Sequence, residues 1–190
     1  MRIASPPLLM MATRTDKEAR LKDFISVGLT HRPEGATGAE SITIVVRNPD
    51  SPAARAVCAA LSQSDLGVSV RVIFGETHAD DPMAVSLLDI SCGEFRVLGD
   101  PRFGAAHEQL VVGTHVWTGD CLRRDPNKRD AFEVYHSGDA SIRLYAAASF
   151  EKLWAAARPI KPVRAGAVAP EIIAAGQTDE SDAMPRNHHH

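Results

Sequence analysis

The sequence predicts an α/β domain with a mixed, mostly parallel central sheet flanked by helices. Three patterns point there. The β-branched runs Ile42-Thr43-Ile44-Val45-Val46 and Val68-Ser69-Val70-Arg71-Val72-Ile73-Phe74 are separated by a helical segment, a βαβ unit that requires parallel pairing and a right-handed crossover. Two short apolar runs, residues 109–112 and 116–118, are joined only by Gly113-Thr114-His115. A long helix then closes the domain, starting at Asp139 or Ser141 and running to Ala157, with Leu144, Ala148, Leu153 and Trp154 turned inward.

Each element has a local reason. Residues 1–14 hold Pro and Met without a period and read as a flexible lead-in. Thr15-Asp16 caps a helix over residues 15–27, with Ala19, Leu21, Phe24 and Ile25 near one face. Pro33, Gly35 and Gly38 mark a loop. The 42–46 run is nearly continuous in apolar character, as in a strand covered on both faces. Asn48-Pro49-Asp50-Ser51-Pro52 supplies a turn, a helix cap and Pro at the first helical position. The helix it starts runs to about Ser64 and carries Ala53, Ala56, Val57, Ala60 and Leu61 inward.

Asp80-Asp81-Pro82 opens a further helix to about Ile90, followed by a short strand over 94–98 and a loop over 99–106. The 109–112 and 116–118 strands do not alternate cleanly, which places them centrally in the sheet. Residues 121–130 are polar and contain Pro126, a loop, and Ala131 to His136 alternates as a strand. The domain spans 15–160, with its core over 42–160 and the 15–27 helix as an added packing or dimer element. Residues 161–190 are rich in Pro and Ala and read as a disordered tail. Its last three residues, His188-His189-His190, read as a tag remnant and are excluded from functional reasoning.

Bulk properties narrow the function. The chain has 190 residues, 44% of them hydrophobic and 24% charged, as in an ordinary globular domain. A net charge of −3 gives no global reason to expect nucleic acid or an anionic membrane. Nucleic-acid binding is therefore left open, and any anion site must be local. No run is long enough for a transmembrane segment. Cys58, Cys92 and Cys121 are far apart with no CxxC pair. Reduced thiols in a cytoplasmic protein follow, with neither a metal nor a cofactor expected.

The informative block is His107-Glu108-Gln109-Leu110-Val111-Val112, Val116-Trp117-Thr118-Gly119-Asp120, Glu133, and then Ser149-Phe150 with Leu153-Trp154. In this order the chain resembles the phospholipase D superfamily over about residues 42–160. The superfamily's signature is His-x-Lys-x4-Asp, then Gly-Ser-x-Asn, then a Glu, then a helix with an aromatic-Leu-Trp ending. The resemblance implies a phospholipase D-like fold and phosphodiester chemistry through a phosphohistidine. Lys and Asn would bind phosphate oxygens, and a His from a second motif copy would protonate the leaving group. This chain has no internal repeat, so the resemblance implies a homodimer.

Position by position, His107 falls on the nucleophile and Glu133 on the acid. Gln109 stands where Lys should be, and Asp120 replaces the Ser. Thr114 falls on the Asp if no gap is allowed, although the turn here is about two residues shorter. Leu122 replaces the Asn. The exchange of Lys for Gln109, with Asp120 added, removes about two units of positive charge from the expected phosphate site. One charge-assisted hydrogen bond is worth roughly 1.5–3 kcal/mol, and one lost oriented donor costs about 10²–10³ in rate.

Arg123 and Arg124 are the residues that could compensate, since a guanidinium binds phosphate in two-pronged fashion. The competing account is a solvated, self-paired loop over Arg123-Arg124-Asp125 and Lys128-Arg129-Asp130. His107 either lines a functional cleft or is a structural imidazole. Asp120 or Glu133 beside it would raise its pKa and fix its tautomer. Trp117 reads as core and Cys121 as an inert thiol, while His31, His78, His115 and His136 read as surface residues.

Three functions compete. The first is a diverged, dimeric ligand-binding or interaction domain with weak or no phosphodiesterase activity, taking a phosphate-containing ligand through Gln109, Thr114, Asp120, Arg123 and Arg124. The second is an active phosphodiesterase or phosphotransferase with His107 as nucleophile and Arg123 or Arg124 in place of the Lys. The third is an unrelated α/β module, expected to lack His107 at the C-terminal edge of a central sheet.

Overall fold

The computed structural model describes residues 8–12, 14–30, 41–62, 67–76, 93–123 and 131–160. The chain begins with β1 (Leu8–Ala12) and α1 (Arg14–Thr30), followed by the unit β2 (Ser41–Val46), α2 (Pro52–Leu61) and β3 (Ser69–Phe74). Then come β4 (Gly93–Val97), a 3₁₀ turn (Pro101–Ala105), β5 (His107–Val112), β6 (His115–Cys121) and β7 (Ala131–Ser137). Helix α3 (Ala140–Ala156) and the two-residue strand β8 (Arg158–Pro159) complete it. The helix expected near 81–90 and the tail from 161 lie outside the described residues.

The eight strands among the described residues form one sheet in the order β1-β7-β6-β5-β2-β3-β4-β8. Only β2–β3 and β3–β4 pair in parallel; every other neighbouring pair is antiparallel. The mostly parallel sheet expected from sequence is therefore corrected to a mostly antiparallel one. The reason is that continuous apolar character reports burial on both faces, which helices provide here for antiparallel strands as well. The expected central place of the 109–112 and 116–118 strands holds, since β5 and β6 lie inside the sheet.

Local chemistry accounts for the helices. Ser51 caps α2, its hydroxyl accepting from the Ala54 N–H at 3.3 Å, and Pro52 opens the helix. Asp139 caps α3 by accepting from the N–H groups of Ser141 and Ile142. Two layers of core result. On one face Leu21, Ile25, Ala53, Val57, Ile44, Leu110 and Trp117 join α1 and α2 to the sheet. On the other, Phe150, Leu153, Trp154 and Ala157 of the α3 segment pack on Val45, Ile73, Leu98 and Leu122.

Three expectations change. Residues 8–12, expected in a loose lead-in, form edge strand β1 along β7, a long-range pairing that no local period can announce. Helix α3 presents Ala146, Phe150, Leu153 and Trp154 to the sheet, while Leu144 is 70% exposed. His115 is buried, packed edge-on against Phe24, and is not a surface residue. Trp117 is fully buried core, as the sequence suggested. Helix α1 starts near its expected cap and is a packing element, with Leu21 and Ile25 inaccessible. Among the described residues no helix is long and apolar enough to cross a membrane.

Candidate functional site

The three parallel strands end together at Val46, Phe74 and Val97, and antiparallel β5 begins at that same edge with His107. Pairs Ile42↔Val112 through Val45↔Gln109 set the register between β2 and β5. Continued two positions further, it sets Arg47 opposite His107. In open α/β sheets this C-terminal edge, where the sense of the neighbouring strand changes, is where ligands are bound.

His107 is exposed, and its Nδ1 lies 2.8 Å from the Gly119 carbonyl. A carbonyl can only accept, so Nδ1 carries a proton, and in the neutral ring the lone pair lies on Nε2. The backbone of Gly119, not a carboxylate, therefore sets the tautomer. Gly119 itself must lack a side chain: a Cβ there would stand 2.6 Å from the Trp117 ring and 3.3 Å from Glu108 Oε2.

Arg47 was not singled out by the sequence reasoning, yet it anchors this edge. Its Nε donates to the Leu122 carbonyl at 2.9 Å and its Nη2 to the Cys121 carbonyl at 3.2 Å. Cys121 is in turn the cross-strand partner of His107. The signal available in sequence was position: a cation directly after the first strand of a βαβ unit. Beside Arg47 opens a cleft of about 510 Å³ whose lining includes Glu76, Asp100, Phe103, Leu122 and Arg123. Arg123 is exposed, and its guanidinium reaches back to the Pro101 carbonyl. Arg124 lies outside the described residues.

The other expected residues separate. Gln109 is buried and donates its side-chain amide to the Ala146 carbonyl at 2.9 Å, so it turns into helix α3 and not to the sheet's edge. Thr114 sits in the two-residue turn between Val112 and His115, at the far end of β5 from His107, roughly 17–20 Å away at strand rise. It is not part of this edge, because the shortened turn leaves nothing to fold back. Asp120 accepts from the Phe132 N–H at 3.1 Å, a link from β6 to β7.

Glu133 does not orient His107. It is fully buried and belongs to a network against α1, where its Oε2 accepts from the Tyr135 hydroxyl at 2.8 Å and its Oε1 lies 3.6 Å from Lys17 Nζ. Lys17 Nζ also reaches Glu108 Oε2 at 3.3 Å and stands 4.7 Å from the centre of the Trp117 ring. Desolvation holds the Glu133 carboxyl above its usual range, opposed by Tyr135, Lys17 and Arg20. Burial, with Glu133 beside it, pushes the Tyr135 phenol up. Alternation explains the split: Gln109 faces α3, while Glu108 and Glu133 face α1. Among the described residues no His, Cys, Asp and Glu cluster is placed to hold a metal ion.

No protein-family model matches the sequence, nor does any curated protein. Solved structures do. The fold is similar to Nuc, a phospholipase D family member from Salmonella typhimurium, with 15% identity and a TM-score of 0.54 over 82% of this chain and 99% of that one. It is similar to NucT from Helicobacter pylori, with 16% identity and a TM-score of 0.55 over 82% and 99%. It is also similar to TrmBL2, an archaeal chromatin protein with a novel mode of DNA binding, with 10% identity and a TM-score of 0.53 over 82% of this chain and 55% of that one. The chain thus has the phospholipase D-like α/β fold.

Proposed function

We propose that this is a diverged phospholipase D-like domain, cytoplasmic and homodimeric, that binds a phosphate-containing ligand at the His107 edge and turns phosphodiesters over weakly or not at all. One observation carries this. The position where the resemblance puts the phosphate-binding Lys holds Gln109, and Gln109 is committed to the Ala146 carbonyl. Among the described residues, the cations lining the neighbouring cleft are Arg47 and Arg123. Binding survives such a relocation better than catalysis, which needs donors aimed within tenths of an ångström at the developing charge.

Calorimetry with inorganic phosphate, and hydrolysis of bis(p-nitrophenyl) phosphate, test the reading together. Phosphate binding that weakens in Arg47→Gln, with turnover close to background, is the expected result. Robust turnover that His107→Ala abolishes would remove it. Light scattering on the purified chain reads the dimer, and a monomer at micromolar concentration contradicts that part.

A second reading keeps His107 as the nucleophile of a phosphodiesterase, with Arg47, Arg123 or Arg124 replacing the Lys. The Nδ1 contact with Gly119 favours it, since it directs the neutral ring's lone pair to Nε2, the atom that attack requires. A phosphohistidine trapped by acid-free quenching and seen by ³¹P NMR, absent in His107→Asn, would establish this alternative.

A further inference from the structure

The cleft beside Arg47 has two unlike parts. Leu98, Phe103 and Leu122 give it an apolar floor that continues into the core under α3, while Arg47, Arg123, Glu76 and Asp100 supply its charge. Asp100 is already committed: it accepts from the Arg102 N–H at 2.9 Å and from Arg102 Nε at 2.8 Å. The cleft is therefore lined by two guanidinium groups, each also holding main-chain carbonyls, and by Glu76, a carboxylate with no side-chain partner among the described residues, which follows the end of β3. At about 510 Å³ the volume suits a ligand of some twenty heavy atoms, within the roughly 300–1,000 Å³ usual for small-molecule sites.

From this arrangement we propose that the cleft takes a single nucleoside monophosphate unit: a planar base on the Phe103–Leu122 floor, its phosphate toward Arg47 and Arg123, and its ribose hydroxyls toward Glu76. The proposal rests on the phosphate-binding reading above and names the ligand class for it. Chemistry argues against the alternatives. A diacyl lipid needs more apolar surface than three side chains and one proline provide. A polynucleotide gains its affinity from many phosphate contacts on a basic surface, whereas this chain carries a net charge of −3 and lines the cleft with two arginines, Arg47 and Arg123. An acid just past a strand end is also where α/β sheets place the acceptor for ribose hydroxyls.

The test compares AMP, inorganic phosphate, ribose 5-phosphate and a five-nucleotide oligoadenylate by calorimetry on the full chain. AMP is expected to bind on the order of tenfold tighter than ribose 5-phosphate, because one base stacked on an aromatic ring contributes that much. The oligonucleotide should gain no more than about threefold over AMP, with a shallow salt dependence. Phe103→Leu should erase the preference for AMP while leaving phosphate binding in place. Phe103 also touches the core, so saturation-transfer NMR on the unaltered protein gives a second readout, with the base protons H2 and H8 receiving the strongest transfer. If phosphate binds but AMP and ribose 5-phosphate bind alike, this proposal fails and the phosphate-binding reading stands. If the oligonucleotide binds a hundredfold tighter than AMP, the site is a strand-binding one and the proposal again fails. If neither phosphate nor AMP binds, both readings fall.

Discussion

The side-chain amide of Gln109 donates to the main-chain carbonyl of Ala146 at 2.9 Å, joining the middle of β5 to helix α3. Both groups are withdrawn from solvent, so the bond is structural in its effect. Replacing Gln109 by Ala leaves that carbonyl without the amide and opens space under α3. A loss of about 1–3 kcal/mol in denaturant unfolding is expected, with inorganic phosphate binding unchanged. A tenfold loss of phosphate affinity at full stability would instead place the side chain at the ligand.

Arg47 combines two duties. It holds the carbonyls of Cys121 and Leu122 and keeps donors for the cleft. Arg47→Lys preserves the charge but cannot span both carbonyls, so it should lose nearly as much phosphate affinity as Arg47→Gln. Each should fall on the order of ten- to a hundredfold, the worth of one charge-assisted hydrogen bond. Arg123→Gln, at an exposed position, should lose less. Equal effects at the two arginines, read by calorimetry, would contradict this division.

Much of this architecture was legible beforehand, and the failures share a cause. β2, α2, β3 and the central β5–β6 pair each announce themselves through periods, caps and turn residues within a dozen positions. The resemblance built on His107, Gly119 and Glu133 pointed to the right fold. Pairing sense and edge strands depend on partners far away, so the antiparallel majority and β1 did not show. Spacing along the chain also says nothing about which face of the sheet a side chain takes. Glu133 was matched by its distance from Gly119, but it turns to α1 and Lys17 while Gln109 turns to α3. Arg47 was passed over because no motif contains it; only the shared edge of three strands gives it a role.

The buried network under α1 should dominate stability. Lys17 is 4% exposed and lies between Glu108 and Glu133. Lys17→Met strands two carboxylates in a dry interior, and breaking one partner of such a group costs about 3–5 kcal/mol. Adding Glu108→Gln to Lys17→Met should recover part of that loss, because it removes one of the stranded charges. If thermal unfolding places the double variant below the single one, the charge argument is wrong.

Gly119 joins the His107 edge to this interior. In Gly119→Ala the new methyl group would meet the Trp117 ring at 2.6 Å, too close for any side chain, so the strand must shift. Overpacking of this kind costs about 1–3 kcal/mol. The same shift moves the carbonyl that binds His107 Nδ1, so the imidazole should also lose its single tautomer. ¹⁵N shifts of the ring, compared between the two proteins, should move toward a mixture of Nδ1-H and Nε2-H forms.

Glu133 gives the fold a pH dependence of definite sign. Burial raises its folded pKa above the unfolded value, despite the opposing pull of Tyr135 and Lys17. The native state therefore holds this proton more tightly than the unfolded chain does. Its contribution is fully present below the ordinary glutamate range and is lost as pH rises through the elevated folded value. Glu133→Gln mimics the protonated form and can still accept from the Tyr135 hydroxyl. The unaltered protein should therefore lose stability relative to Glu133→Gln as pH rises from acid toward neutral. Urea midpoints of the two proteins across that range decide it: a gap that stays constant, or that moves in favour of the carboxylate with rising pH, would show that Lys17 outweighs desolvation.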